Sequence, residues 1–126
     1  MHTDKQALTL VSEKIIGYSF IVLNTLGVGF LEKVYENALV HELRDAGLMV
    51  KQQHDVLVHY KDVVVGVYTA DLLVENAVLA ELKVIRSLDA IHQAQCINYL
   101  KATGLWLCLL LNFGNSRLEV KRLVNG

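Results

Sequence analysis

Tyr68-Thr69-Ala70-Asp71-Leu72-Leu73-Val74-Glu75-Asn76-Ala77-Val78-Leu79-Ala80-Glu81-Leu82-Lys83-Val84-Ile85 is the stretch on which the fold turns. Two apolar runs flank Glu75-Asn76-Ala77, a pattern that predicts a hairpin of strands over 63–74 and 78–85. Side chains alternate along a strand, so Glu81 and Lys83 point to one side of it. They interrupt an otherwise apolar segment, and burying two charges there costs several kcal/mol unless each is paired or holds a metal. Asp71 lies on the other arm. A three-residue turn through Glu75, Asn76 and Ala77 pairs Val74 with Val78 and sets Asp71 opposite Glu81. A two-residue turn through Glu75 and Asn76 instead leaves the two carboxylates on opposite faces. Both faces are otherwise apolar, so the pattern leaves both registers open. A shared site requires the longer turn or a bulge.

Working outward, Val50 to Tyr60 alternates as an earlier strand, joined to the hairpin by a turn at Lys61-Asp62. Before it, two helices are predicted, over 4–26 and 30–46. The first opens on a capping box, Thr3 with Gln6, and carries Leu8, Val11, Ile15, Ile16, Phe20 and Leu23 at helical spacing. The second has Leu31, Val34, Ala38, Leu39 and Leu43 as its stripe and Gly47 as its C-cap. After the hairpin, Ser87 or Asp89 can cap a helix that reaches Thr103 and closes on Gly104, with Ile91, Ala94 and Leu100 toward the core. The run 105–113 reads as a strand buried on both faces, with Trp106 as core, and 118–123 as an edge strand. The order helix, helix, three strands, helix, strand, strand makes a mixed sheet flanked by helices, α/β or, under stricter naming, α+β.

With 126 residues, 53% of them hydrophobic and none proline, the chain is expected to form one domain spanning 1–126 around a real core. A formal net charge of −1 argues against a basic coat for non-specific nucleic-acid binding, so any work on DNA or RNA must rely on metal ions and a few placed cations. Cys96 and Cys108 sit in apolar runs and read as buried free thiols. The amino end has charges where a secretory signal would be apolar, and 105–111 is far shorter than the ~20 residues that span a bilayer. A cytoplasmic protein with no membrane association is the expectation.

Facing carboxylates repel unless a proton or cation lies between them. Their hard oxygens suit Mg²⁺ or Mn²⁺, and a lysine beside such an ion can orient water and stabilise charge at phosphorus. A plain Lys83–Glu81 or Lys83–Asp71 ion pair on a partly exposed sheet accounts for the spacing equally well.

Asp71 followed by Glu81-Leu82-Lys83 resembles the D…ExK signature of the PD-(D/E)XK nuclease superfamily. The predicted order of elements resembles its restriction-endonuclease-like core. Gly27-Val28-Gly29-Phe30-Leu31-Glu32-Lys33-Val34-Tyr35-Glu36-Asn37-Ala38-Leu39 resembles the motif of the GxxExxY protein family, with Gly29, Glu32 and Tyr35 in the named positions. The segments Ala70 to Glu75, Glu81-Leu82-Lys83 and Leu111-Asn112-Phe113-Gly114 also resemble that family. Relatives commonly carry proline where this chain has Val28. Gln95 and Tyr99 resemble the QxxxY motif that follows ExK in RecB-like nucleases.

The resemblance implies a nuclease-like site. Asp71, Glu81 and Glu32 would be metal ligands, the Leu82 carbonyl a backbone ligand, Lys83 the catalytic lysine, and Gln95 and Tyr99 residues of a helix over the site. Other readings stand beside these. Glu32 can be a first-turn glutamate favoured by the helix dipole, Gln95 and Tyr99 ordinary polar edging, and Tyr35 a structural hydroxyl. His92 reads as exposed, and Arg117, Lys121 and Arg122 as a solvated edge. His54 and His59, on opposite faces, form no zinc pair. Two functions of different class follow. One is a Mg²⁺- or Mn²⁺-dependent phosphodiesterase acting on DNA or RNA. The other is a non-catalytic binding or assembly module that keeps the fold. A homodimeric scaffold, suggested by so hydrophobic a short chain, is a weaker third.

Overall fold

The computed structural model describes residues 5–125, so the Thr3 capping box lies outside the described residues. Helices α1 (Lys5–Leu26) and α2 (Glu32–Asp45) lead into strands β1 (Val50–Tyr60), β2 (Val63–Val74) and β3 (Val78–Lys83). Helix α3 (Ala90–Thr103), β4 (Leu107–Asn112) and β5 (Glu119–Val124) follow. The strands form one sheet in the order β1-β2-β3-β4-β5. Neighbours are antiparallel except β3 and β4, which are parallel and joined through α3. This is the mixed, helix-flanked α+β arrangement that the sequence predicts.

Two apolar layers sandwich the sheet. On one side, α1 and α2 pack over Leu72, Val74, Val78, Ala80, Leu82, Leu109 and Leu111. On the other, α3 packs with Cys96, Tyr99 and Leu100 over Val56, Ala70, Leu73, Leu79, Cys108 and Leu110. Because β3 and β4 are covered on both faces, every residue of β4 is apolar but Asn112, and alternation disappears from both. Cys96 and Cys108 are free and buried, and their contact together with burial raises the Cys108 thiol far above its ordinary value.

The helices bury faces that differ from those predicted. In α1 the inward residues are Leu8, Ser12, Ile15, Ser19, Val22 and Leu23, while Phe20 faces solvent. Two serines are tolerated there because Ser12 Oγ donates to the Thr9 carbonyl (2.9 Å) and Ser19 Oγ to the Ile15 carbonyl (2.7 Å). Since α2 begins only at Glu32, Leu31 precedes it and is 79% exposed, Val34 turns outward, and Tyr35, Glu36, Leu39, Val40 and Leu43 face in. Helix α3 starts from an Asp89–His92 capping box, which leaves Ile91 77% exposed and Ala94 outside the core. Trp106 is only partly buried, with the Lys5 ammonium over its ring at 5.0 Å. Helix α1 has the length and apolar content to cross a bilayer, which the run 105–111 lacks, and here its inward face packs on α2 and the sheet.

Candidate active site

The β2–β3 hairpin adopts the longer turn. Val74 pairs with Val78, Leu73 with Leu79 and Leu72 with Ala80. The reversal is carried by Glu75 and Asn76, both left-handed (φ 54° and 53°), with the Ala77 N–H on the Val74 carbonyl. The register brings Asp71 to Glu81, yet regular pairing stops one step short of them. There the side chains take over from the ladder. The Asp71 N–H donates to Glu81 Oε1 (2.6 Å), and the Leu82 N–H donates to Asp71 Oδ2 (2.8 Å). Each carboxylate thus grips the opposite strand's backbone.

The same point disturbs β1. Gln52 pairs with Leu72 and His54 with Ala70, while Gln53, between them, is left-handed (φ 53°) and unpaired with Asp71. Ala70 and Leu72 should share a face of a regular strand, but Ala70 belongs to the α3 core and Leu72 to the α1–α2 core. Correspondingly, Gln52 and Gln53 both reach toward α2 and donate to Glu36 (2.8 and 3.1 Å). Gln53 Nε2 also lies 3.4 Å from Asp71 Oδ1. The alternation therefore slips in β1 and β2 together, at the level of Asp71. A non-glycine residue held at positive φ costs about 1–2 kcal/mol, strain of a kind that collects at functional positions.

Glu32 arrives on the first residue of α2. The preceding loop turns through Gly27 (φ 77°) and Gly29 (φ 106°), where a side chain would be strained. Tyr35, fully buried, clamps that loop: its hydroxyl donates to the Gly27 carbonyl (2.6 Å) and accepts the Phe30 N–H (3.2 Å). Its ring stacks on Phe113 at 5.0 Å. Tyr35 thus fixes where Glu32 emerges and is itself sealed in the core.

The electrostatics tie these groups together. Burial, then the charge of Asp71, pushes Glu81 up to about 8. Burial raises Asp71 as well, against the Leu82 N–H bond that favours its charged form. Glu32 is raised by burial and then by Asp71, opposite to the direction a helix dipole alone would give. The Lys83 charge lowers all three, but neither ion pair of the alternative reading, with Glu81 or with Asp71, forms. Among the described residues the salt bridges are Lys33–Glu36 and His92–Asp89. Lys83 instead lines a cleft of about 530 Å³ with His92, Gln95, Tyr99 and Tyr68.

Gln95 and Tyr99 share the α3 face over that cleft, though unequally. Gln95 lines the opening, while Tyr99 is nearly buried and donates from its hydroxyl to the Thr69 carbonyl (3.3 Å), two residues before Asp71. Burial, then the charge of Glu81, raises the Tyr99 phenol well above its ordinary value. Leu82 contributes its N–H to Asp71 and its side chain to the α1–α2 core.

Three residues at the site carry no role in the sequence reading. Glu36, 1% exposed, accepts from Lys33, Gln52 and Gln53 and links α2 to the Asp71 level. Its neighbour relation to Glu32, one helical turn away, was the available signal. Gln53 gave none, since a left-handed glutamine inside a strand has no sequence mark. Buried Asn112 clasps the segment after β3: its Oδ1 accepts the Ile85 and Gly114 N–H groups (both 3.0 Å), and its Nδ2 donates to the Ile85 carbonyl (3.0 Å) and Glu119 (3.1 Å). Gly114 is obligatory there, because a Cβ would collide with the Ile85 backbone. The Asn112-Phe113-Gly114 block thus holds the end of the Lys83 strand and backs Tyr35.

The donor set fits a hard divalent cation. Its carboxylates are oxygen ligands, half-buried to buried, and pushed toward the neutral form first by burial and then by neighbouring carboxylates. As arranged, no three His, Cys, Asp or Glu side chains among the described residues already converge on one ion position. Asp71 and Glu81 each commit one oxygen to a backbone N–H; the second Asp71 oxygen has only the long Gln53 contact (3.4 Å), which a ligand would displace.

The model of the PD-(D/E)XK nuclease superfamily matches residues 9–123. No curated protein matches the chain. Among solved structures, an alkaline exonuclease from Laribacter hongkongensis is similar, with a TM-score of 0.51 and 11% identity. The match covers 91% of this chain and 82% of the exonuclease, a likeness of fold.

Proposed function

The chain belongs to the PD-(D/E)XK nuclease superfamily, and from that membership we propose that it is a divalent-metal-dependent phosphodiesterase acting on DNA or RNA. The carrying observation is the meeting of Asp71 with Glu81 at the break in the β2–β3 ladder, with Lys83 unpaired beside them. Members of the superfamily generally use divalent metals. Asp71, Glu81 and Glu32 would hold Mg²⁺ or Mn²⁺, with the Leu82 carbonyl as a further ligand. When bound, the ion supplies the positive charge that activates water and offsets charge at phosphorus.

The chain's own residues do the rest. Lys83, free of a carboxylate partner, orients the attacking water and donates to the phosphate oxygen on which charge grows. Gln95 faces the same cleft and positions the phosphate or the water. Tyr99 acts through the Thr69 carbonyl, holding β2 where Asp71 must stand. Within the superfamily, Gly29, Glu32 and Tyr35 support placement among GxxExxY proteins, and Gln95 with Tyr99 supports a RecB-like QxxxY helix. The free thiols are consistent with a reducing cytoplasm.

Cleavage of labelled DNA and RNA with and without Mg²⁺ or Mn²⁺, by wild type, Glu81→Ala and Lys83→Ala, tests the proposal. Metal-dependent cleavage lost in both variants supports it, and unchanged cleavage in both sinks the mechanism.

Among the described residues no three donors already converge on one ion position, an arrangement that a second reading also accommodates, a non-catalytic binding module on the same fold. Calorimetric titration separates the two: folded wild type that takes up no divalent ion is the module.

A further inference from the structure

The cleft that Lys83 lines extends from that lysine away from the carboxylates. It runs between α3 and the β1–β2 hairpin and abuts a second groove of about 480 Å³, and the two share Val58, Tyr68 and Asn98. The result is a continuous trough that begins at Lys83, passes Tyr68 and ends at Lys101 and His59. Tyr68 stands at its middle. Its side chain is 55% exposed, and its ring leans on buried Tyr99 (centroids 6.2 Å apart, planes at 50°), which braces it from beneath. Amide side chains, Gln95 and Asn98, line the α3 wall.

We propose that this trough is the path of a single nucleic-acid strand, with a base stacked on Tyr68 between a phosphate at Lys83 and another at Lys101. The proposal rests on the phosphodiesterase reading and names its substrate class. An exposed aromatic face flanked by cations and amides is the chemistry that takes unstacked bases, which every sequence offers and a duplex hides. The charge points the same way. Duplex binding draws on roughly 6–10 phosphate contacts from a basic surface, while this chain has a net charge of −1 and presents two lysines along the trough. Lys83, two residues from Glu81 on β3, lines the near end of the trough and joins it to the carboxylate site.

Anisotropy titration of fluorescein-labelled oligothymidine and of a hairpin duplex, in Ca²⁺ and without turnover, tests the path. Wild type should bind the single strand more tightly than the duplex. Tyr68→Ala should weaken single-strand binding by about tenfold, the value of one stacked base, and Tyr68→Phe should restore it because the π-face remains. Lys101→Glu should weaken binding and lower the slope against log salt by about one contact. An unchanged dissociation constant in Tyr68→Ala, tighter binding of the duplex, or no binding of either strand overturns the proposal. Tyr68-dependent binding without any cleavage by wild type leaves the path standing and removes the enzyme. Cleavage that Tyr68→Ala leaves untouched does the reverse.

Discussion

The two ends of the β2–β3 hairpin differ sharply for so short a span. From Leu72 to Val74 and Val78 to Ala80 the pairing is regular, the residues are apolar, and all six are buried. One step further, at Asp71 and Glu81, the ladder gives way to carboxylates that bond the opposite backbone, while β1 shifts its alternation at Gln53. The closed end supplies stability. The open end surrenders backbone pairing to bring charges together, and the raised Glu81 carboxyl is the mark of that cost. The difference teaches that charged groups this close are held by the ordered sheet next to them, not by each other.

Substitutions should separate the two ends. At the open end, Glu81→Ala and Lys83→Ala should each lower cleavage by about 10²–10³-fold in protein that remains folded, measured by steady-state kinetics alongside thermal unfolding. At the closed end, Leu79→Ala, fully buried, should cost about 2–5 kcal/mol in denaturant unfolding, with divalent affinity preserved in the folded fraction.

A smaller effect should follow pH. The Glu81 carboxyl stands above its ordinary 4.5, near 8, so the folded state holds a proton that the unfolded chain has released. Without metal, the stability from this group is full below about 4.5 and is lost as pH rises through about 8. Glu81→Gln keeps an acceptor for the Asp71 N–H without the charge. It should flatten that decline, melting a few degrees above wild type at pH 8.5 in EDTA and no higher at pH 5. Smallest of all, Asn76→Gly at the left-handed turn should stabilise by about 0.5 kcal/mol, because glycine meets that φ without strain.

How far the sequence displayed this depended on periodicity. The element order was readable from apolar runs and turn residues, and the meeting of Asp71 with Glu81 only as the outcome of one of the two registers left open. The register was not, since both hairpin faces are apolar, and it was decided by left-handed Glu75 and Asn76 rather than by any glycine. Glu75 holds its place for a tertiary reason, accepting the Met49 N–H at 2.7 Å. The slip at Gln53 was invisible for the same cause: a left-handed residue that is not glycine leaves no mark on composition. The stripes of α2 and α3 were misplaced because Leu31, Val34 and Ile91 are apolar yet exposed, while Glu36 is charged yet buried among its donors. Burial of a charge is set by partners far along the chain, which local spacing does not contain.

The central claim, that Asp71 and Glu81 form a cation site awaiting charge, is met most directly by titrating Mn²⁺ into the wild-type protein calorimetrically in buffers of different ionisation enthalpy. The account predicts one tightly held ion whose binding at pH 7 releases a proton, with affinity rising toward pH 8 and lost in Glu81→Ala. A folded wild type that binds no ion, or binds one with no proton released and no dependence on Glu81, contradicts it.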